Sequence, residues 1–518
     1  VHDNLDVKKF TMPNVKEGSI IEVKYSVASD YYWTMSPWYF QEVVPTKYSE
    51  YNIEVPEFFT FNKNFIGYFA PHVKPRESTA QGDSDYEVVK EGWVMENLPA
   101  FESEDYMRSY KNYISRIDFE LESIQAPSRP TEYFTKSWEN IRDDLWKSDY
   151  FGMPIKRSKT PKMIAKEFLG DNNEERMIAI YEHIKNKMKW DGENSKYVDK
   201  GIKKSWKEGN GNSAEINLTL LATLRAAGFD ASPVVLSTRS NGMLPLMFPS
   251  ADKLNYVISK VDIGEKTYYL DATDDFCPAG VLPYKCFNGE AVILGKKELQ
   301  QVLLKPSQKL KSATQSTLSL DKDGTLEGVV KKTKTGYAAI NFRKKYARSN
   351  SEDDLLEKLE NEAPGLSIES HKFEGLNNIY EGLKEEYEVV IEEKAEVTGN
   401  MIYINPMLNN ALTENPFKLE VRKYPVDYAI PIEETYMLKL EIPDGYAVET
   451  LPEISKIALP EKAGQFSYSA KMVGGEIMVL SRLRINKTLF LEDEYALLKQ
   501  FYNIIVKKHA EQIVLKKI

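Results

Sequence analysis

The sequence predicts an α+β multidomain protein with an N-terminal antiparallel β-sandwich, a central α+β domain and a C-terminal mostly-β region with helices. The chain of 518 residues is several times longer than a typical domain of ~100–200 residues. Its hydrophobic content of 42% is sufficient for several cores. The hydrophobic period changes from two residues to a helical period and back again. These changes predict domains at residues 1–128, 129–308, 309–430 and 431–518.

Alternating hydrophobic residues between turn-rich stretches predict the N-terminal β-sandwich. The predicted strands are 19–28, 39–44, 51–55, 58–69 and 86–96. Because the chain begins without Met and inside this pattern, we take it to be a processed or truncated product. We expect a signal peptide and one or more strands to lie upstream.

Aromatic residues are concentrated in this first region. They begin with Tyr31 and Tyr32 and include Trp33, Trp38 and Trp93. Exposed rings in one plane would form a glycan-binding platform, but aromatic residues are also ordinary components of strands and cores. The sequence leaves both interpretations open.

Hydrophobic residues at helical spacing follow Pro130 and begin the central domain. Helices are predicted at 131–147, 160–169 and 173–188. His183 lies beside the apolar stripe of the last of these helices, where a boundary or surface position is expected.

A glycine-flanked turn then begins a helix that is predicted to be buried. Asn212 is placed to be its N-cap, Glu215 is placed to complete a capping box, and Gly228 is placed to end it. The strands predicted next are 231–237, 254–261 and 266–270, and the last runs into Asp271.

The period-two pattern returns near residue 312 and predicts the C-terminal region. A hairpin turn is predicted at 321–324 and helices at 337–348, 351–360 and 492–508. The remaining segments are predicted strands, at 316–320, 326–332, 386–392, 401–404, 435–442, 465–472, 476–485 and 512–516.

Composition argues against several classes of protein. A net charge of −10 argues against a nucleic-acid binder, which needs a basic face. The apolar runs are far shorter than the ~18 residues of a membrane-spanning helix. Two cysteines are too few for a four-cysteine zinc site, and the five histidines have no metal-binding spacing. We therefore expect no cofactor, no metal, no nucleic acid and no transmembrane segment.

The central segments carry motifs of a known superfamily. Gly211-Asn212-Ser213 at the helix start, residues 224–228 at its end and Asp271-Ala272-Thr273 after the strands resemble the transglutaminase-like superfamily. That superfamily has a papain-like fold with Cys at the start of the buried helix and His and Asp on the strands. The resemblance places Ser213 at the Cys position, Asn255 at the His position and Asp271 at the Asp position.

Two of these three positions depart from the superfamily pattern. A helix N-terminus and an imidazole together convert Cys to a reactive thiolate, whereas a Ser hydroxyl needs an adjacent base. The amide of Asn255 cannot accept a proton usefully at neutral pH. Ser213, Asn255 and Asp271 are therefore predicted to be vestigial triad positions of a pseudoenzyme. The alternative is a hydrolase or amidase that uses Ser213 with another base, for which His183 and His72 are the candidates.

The flanking regions extend the resemblance over almost the whole chain. Segments 12–25, 39–45 and 422–428 resemble two domains of unknown function that bracket the transglutaminase-like domain in exported proteins of Bacteroidota. The resemblance implies a periplasmic or outer-membrane-associated protein of the cell envelope. Because the chain keeps the turn and the buried helix but lacks the Cys and His, we expect a scaffold or partner-binding subunit of a complex with other envelope or outer-membrane proteins.

Two loops complete the expectations. The loop 238–253 is rich in Met and Pro, and its apolar side chains are predicted partner contacts: Met243, Leu246, Met247 and Phe248. The turn-rich loop between Cys277 and Cys286 could bring the two sulfurs close enough for a disulfide in an oxidising compartment. Two unpaired buried thiols are the other outcome.

Overall fold

A computed structural model describes residues 11–26, 35–80, 86–127, 129–134, 137–246, 249–296 and 298–518. Its sheets and helices confirm the α+β multidomain class. Among the helices of these residues, none is long and apolar enough to cross a membrane.

Two small antiparallel sheets form the N-terminal region. The strands are β1 (Trp38–Tyr39), β2 (Thr46–Pro56), β3 (Phe59–Ile66), β4 (His72–Val73), β5 (Glu77–Ala80), β6 (Glu87–Leu98), β7 (Arg116–Ile124) and β8 (Glu132–Tyr133). One sheet has the order β1-β7-β3 with β8 beside β7, and the other has β2-β6-β4 with β5 beside β6. Trp93 of one sheet and Ile117 of the other belong to the same hydrophobic core.

Two predicted strands of this region need correction. Residues 19–26 form no strand, and residues 27 and 28 of that prediction lie outside the described residues. Alternation alone predicted this strand, but a strand also needs a hydrogen-bonding neighbour. The strand predicted at 39–44 is reduced to β1, because the N–H groups of Phe40 and Gln41 both donate to the carbonyl of Ser115.

The central region packs helices against a five-stranded antiparallel sheet. Its helices are α1 (Trp138–Lys147), α2 (Gly152–Arg157), α3 (Lys159–Ala165), α4 (Glu174–Lys187), α5 (Ile202–Glu208) and α6 (Ser213–Ala226). Its strands are β9 (Lys189–Trp190), β10 (Asn210–Gly211), β11 (Asp230–Leu236), β12 (Tyr256–Ile263), β13 (Lys266–Leu270), β14 (Glu290–Leu294) and β15 (Leu299–Leu303). The sheet has the order β13-β12-β11-β14-β15, and β9 pairs separately with β10.

Helix α6 lies at the centre of this region, and its residues from Ser213 to Leu224 are buried. Its start is fixed by the predicted capping box, in which Asn212 accepts from the Glu215 N–H while the Glu215 carboxylate accepts from the Asn212 N–H. The same buried carboxylate also accepts from the N–H groups of Lys200 and Gly201, at 2.6 and 3.0 Å. These bonds offset the cost of burying its charge.

The C-terminal region contains an eight-stranded and a four-stranded sheet. Its strands are β16 (Leu310–Leu320), β17 (Leu326–Gly336), β18 (Leu366–Glu374), β19 (Leu383–Ile391), β20 (Ala395–Thr398), β21 (Met401–Ile404), β22 (Val426–Asp427), β23 (Ile432–Glu441), β24 (Tyr446–Thr450), β25 (Ser455–Ala458), β26 (Gly464–Val473), β27 (Glu476–Ile485), β28 (Leu489–Phe490) and β29 (Ile513–Lys517). Its helices are α7 (Tyr337–Arg348), α8 (Glu352–Asn361) and α9 (Tyr495–His509).

The predicted boundary between residues 430 and 431 does not separate two folding units. The eight-stranded sheet has the order β18-β19-β17-β16-β23-β27-β26-β25, so strands from both sides of that boundary share it. Strand β16 pairs in parallel with β23, and Leu310 is opposite Ile432. One hydrophobic core also contains residues from both sides, such as Leu318 and Leu438.

Candidate functional site

Ser213 is the first residue of α6, directly after the Asn212 cap. The short β9–β10 pair holds this end of the helix and brings Trp190 opposite Gly211. The buried Ser213 hydroxyl donates to the Ser195 carbonyl at 2.9 Å and accepts from the Ser195 N–H at 2.8 Å. Its proton is therefore directed to a backbone carbonyl rather than to a base.

Asp271 is buried, and its carboxylate contacts Asn217 in the middle of α6. Its Oδ1 accepts from Asn217 Nδ2 at 2.9 Å and from the Thr273 N–H at 3.0 Å, and its Oδ2 accepts from the Tyr256 hydroxyl at 2.9 Å. Burial, and then the charge of Asp271, raises the pKa of Tyr256 well above its usual value, so the phenol remains a donor. The thiol of Cys286 lies 3.5 Å from the same carboxylate.

Asn217 links α6 to the segment that begins with Asp271, directly after β13. Besides its bond to Asp271, its Nδ2 donates to the Val257 carbonyl at 2.9 Å and its Oδ1 accepts from the Ala272 N–H at 2.9 Å. The sequence analysis did not identify this residue. Its signal was an amide side chain in a helix predicted to be buried, four positions after Ser213 and therefore on the same face.

Asn255 does not take part in this network. Its Oδ1 accepts from the Thr238 N–H and its Nδ2 donates to the Thr238 hydroxyl, both at 2.9 Å. Successive residues of an extended strand point to opposite faces, so only one of Asn255 and Tyr256 can point to Asp271. The structure brings Tyr256 there, whereas the side chain of Asn255 bonds to Thr238.

Lys285, which the sequence analysis did not identify, lies between the rings of Trp190 and Tyr256. The ammonium of Lys285 lies 3.6 Å from the centre of the Trp190 ring and 4.6 Å from the centre of the Tyr256 ring. Trp190 is beside the start of α6, and Tyr256 contacts Asp271. The two rings therefore hold Lys285 between the helix start and the carboxylate by cation–π contacts.

Neither histidine that was considered as a base contacts Ser213. His183 packs between Phe168 and Trp206, with ring centres 5.3 and 5.7 Å apart respectively. His72 belongs to β4 in the N-terminal region. Within the described part of the chain, no cluster of three or more His, Cys, Asp or Glu side chains could hold a metal ion.

Cys277 and Cys286 are both buried and free, so the structure shows the second of the two expected outcomes. Burial raises the pKa of each thiol well above its usual value. Both therefore remain protonated at neutral pH and are unreactive as nucleophiles.

The predicted contact loop is partly folded back on the protein. The Met243 N–H donates to the Asn112 side chain at 2.7 Å, and the Leu246 carbonyl accepts from the Trp138 indole at 3.0 Å. Met243 is exposed, whereas Leu246 packs against the central core. The other two predicted contacts, Met247 and Phe248, lie outside the described residues.

The two described tryptophans that were considered for glycan binding, Trp38 and Trp93, do not form an exposed platform. Trp93 is only 3% exposed and belongs to the N-terminal core. Trp38 stacks on Tyr51, with ring centres 5.1 Å apart. Trp33, like Tyr31 and Tyr32, lies outside the described residues.

Comparison with known proteins identifies two matching domain families and one similar fold. Residues 1–102 match DUF3857 and residues 400–515 match DUF3858, both described as domains of unknown function with a solved structure. The flanks of this chain are domains of unknown function. No curated protein matches the chain.

Two solved structures are similar to this chain. A candidate protease from Parabacteroides distasonis has 14% sequence identity and a TM-score of 0.53, with 93% of this chain and 74% of that chain covered. A candidate cysteine protease from Cytophaga hutchinsonii has 14% identity and a TM-score of 0.20, with 46% and 74% covered. The first likeness shows a shared fold, and the second is too weak to support an argument.

Proposed function

We propose that this chain is a non-catalytic transglutaminase-like protein that acts as a scaffold or partner-binding subunit of a complex in the cell envelope. The proposal rests on the hydrogen bonds of the Ser213 hydroxyl, which both donates to and accepts from the backbone of Ser195. A nucleophilic hydroxyl needs a base that takes its proton, and a backbone carbonyl cannot do so.

The surroundings of Asp271 support the same conclusion. In a working triad the carboxylate orients an imidazole, and here it accepts instead from Tyr256 and Asn217. The phenol of Tyr256 keeps its proton at neutral pH because of its raised pKa. Lys285 lies between the rings of Trp190 and Tyr256, and the Tyr256 hydroxyl donates to Asp271.

An assay of acyl transfer and hydrolysis tests the catalytic part of the proposal. Wild type and Ser213→Ala are compared on peptide, amide and ester substrates, with a known cysteine protease measured in parallel. We expect neither form to exceed the rate without protein. Turnover by the wild type that Ser213→Ala abolishes would overturn the proposal.

The partner-binding part rests on the segment 11–26. Its residues alternate in the manner of a strand but belong to no sheet in the described structure. Its exposed apolar side chains include Ile20 at 97%, Val23 at 56% and Tyr25 at 79% exposure. An exposed apolar segment that belongs to no described sheet is suited to strand addition to or from a partner.

Purification of complexes from native envelope tests this part. A tagged full-length chain is compared with Ile20→Asp/Val23→Asp and with the control Glu22→Gln in the same segment. We expect specific envelope proteins to co-purify with wild type and control but not with the double variant. An unchanged set of co-purified proteins would exclude this segment as the contact surface.

Localisation in the envelope is supported by the resemblance of the flanking segments to domains of exported proteins. Cell fractionation of the native protein, with cytoplasmic and periplasmic marker enzymes, tests it. Recovery with the cytoplasmic marker would contradict this part of the proposal while leaving the catalytic part standing.

A further inference from the structure

A cavity of 440 Å³ opens in the C-terminal region, away from Ser213 and Asp271. It lies between the eight-stranded sheet, helix α9 and the loop around residues 407–416, and Tyr106 closes it from the N-terminal region. Its volume is within the range of ~300–1,000 Å³ that is usual for small-molecule sites.

Glu434 of β23 supplies the carboxylate of this cavity. The adjacent Glu433 points elsewhere and lies 3.5 Å from both Arg484 and Lys309. The side chain of Glu434, in contrast, makes no ion pair or hydrogen bond with another residue that the structure describes. Although the cavity gives solvent access to its side chain, the surrounding protein raises the pKa of the carboxyl by desolvation. A carboxylate in such surroundings is stabilised by a cation.

Three of the four tyrosines that line the cavity, Tyr106, Tyr428 and Tyr502, contact one another. The ring centres of Tyr106 and Tyr428 are 4.9 Å apart, and the Tyr428 hydroxyl donates to the Tyr502 hydroxyl at 3.1 Å. The face of a tyrosine ring attracts a cation. Tyr106 has a φ of 60°, a left-handed conformation that is uncommon for a bulky residue and often occurs at functional sites.

The other titratable groups of the cavity supply no competing positive charge. Burial lowers the pKa of His509 to about 4, so its ring is neutral at pH 7. Its Nδ1 accepts from the Leu412 N–H at 3.0 Å, which leaves Nε2–H to donate to the Ser481 hydroxyl at 3.1 Å. Glu414 at the rim is paired with Lys418 at 2.6 Å.

We propose that this cavity binds an organic cation headed by a primary ammonium group, with Glu434 as the counter-ion and the three tyrosines as its walls. A bare metal ion fits the site poorly, because hard cations take six or more oxygen ligands and, of the two carboxylates that line the cavity, Glu414 is already paired with Lys418. The ammonium belongs either to a free alkylamine or to the side chain of a lysine in a peptide. The inference is independent of the state of the Ser213 site.

Calorimetric titration of the full chain with n-butylammonium tests the site, and n-butanol is the uncharged probe of similar size. Wild type is compared with Glu434→Gln and with Glu441→Gln, an exposed position on the same strand. We expect n-butylammonium to bind wild type and Glu441→Gln, and Glu434→Gln to weaken this binding about tenfold or more. Loss of an unpaired carboxylate should not impair folding, which thermal unfolding of the variant checks.

Two further probes distinguish the sources of the ammonium group. Nα-acetyl-lysine N-methylamide represents a lysine in a peptide, and Nα-acetyl-norleucine N-methylamide lacks its charge. Binding of the lysine derivative at least as tight as that of n-butylammonium supports a peptide ligand, and tighter binding of the amine supports a free alkylamine. Equal affinity of wild type and Glu434→Gln, or no binding of either ammonium probe, would overturn the inference.

Discussion

Arg239 of the central region lies 3.1 Å from the buried carboxylate of Asp427 in the C-terminal region. Arg108 of the N-terminal region bonds to the same carboxylate oxygen. One acidic side chain therefore joins three parts of the chain. The Asp427 N–H adds a further link by donating to the Tyr106 carbonyl at 2.9 Å.

Replacing the Asp427 carboxylate should weaken the contacts among the three regions of the chain. We expect Asp427→Asn to lower the free energy of unfolding by about 3 kcal/mol, because two buried guanidinium groups lose their counter-ion. Urea unfolding measures the change, and limited proteolysis should show faster cleavage between the regions. Asp444→Asn, in an exposed turn, is the control and should leave both unchanged. A loss below about 0.5 kcal/mol would show that Asp427 does not hold the regions together.

The position of Tyr256 at the start of β12 allows an experiment on the Ser213 site. Because Tyr256 rather than Asn255 points to Asp271, an imidazole introduced by Tyr256→His should be placed to accept a proton at this site. We expect Ser213→Cys/Tyr256→His to lower the pKa of the introduced thiol relative to Ser213→Cys alone. The pH dependence of its alkylation, followed for that one peptide by mass spectrometry, measures the shift.

The matched control for this experiment is Ser213→Cys/Asn255→His. It carries the same two residue types, but its imidazole should point to Thr238, as the Asn255 side chain does. We expect its thiol to titrate like that of Ser213→Cys alone. If this control, and not Tyr256→His, lowered the thiol pKa, the positions of the two side chains would be reversed.

The bonds of Asn217 make it a structural residue of the same network. Asn217→Ala should lower the free energy of unfolding by about 2–4 kcal/mol, because it leaves the Val257 carbonyl, the Ala272 N–H and part of Asp271 without a buried partner. Chemical denaturation measures the loss. Thr223→Ala, in the same buried helix, removes a single bond to the Thr219 carbonyl and should cost less. Equal losses would indicate that the network adds no stability.

Local sequence signals predicted the isolated elements well. The capping box of Asn212 and Glu215 fixed the start of α6, and the predicted helix 337–348 coincides with α7. Caps and apolar stripes involve residues three or four positions apart, so the sequence itself contains them. The same holds for Ser351, whose hydroxyl accepts from the Asp354 N–H at the start of α8.

Features that depend on distant residues were not predictable in this way. The parallel pairing of β16 with β23 joins residues more than a hundred positions apart, so residue 430 looked like a boundary. The choice between Asn255 and Tyr256 depends on which face of β12 is turned to Asp271. Lys285 is held between Trp190 and Tyr256, which lie far from each other in sequence, and nothing near Lys285 indicated this contact.

The buried imidazole of His509 gives the protein a pH-dependent stability. In the folded state burial lowers its pKa to about 4, whereas an unfolded histidine titrates near its ordinary value of 6.5. Above pH 6.5 the His509 imidazole is neutral in both the folded and the unfolded state, so its titration does not lower the stability. As the pH falls from 6.5 to about 4 the unfolded state takes up a proton and the folded state does not, so stability falls by about 3 kcal/mol.

The comparison of wild type with His509→Gln separates this effect from that of the carboxyl groups, which titrate in the same range. The amide can still accept from the Leu412 N–H and donate toward Ser481, but it does not titrate. We expect the variant to be less stable than wild type at pH 7.5, because its shape fits less well, and to lose less stability on acidification. Urea unfolding at pH 7.5 and pH 5 measures both, with His183→Gln as the control. Parallel losses in wild type and His509→Gln would mean that His509 takes up its proton without unfolding, and that the cavity beside Glu434 can carry a positive charge of its own.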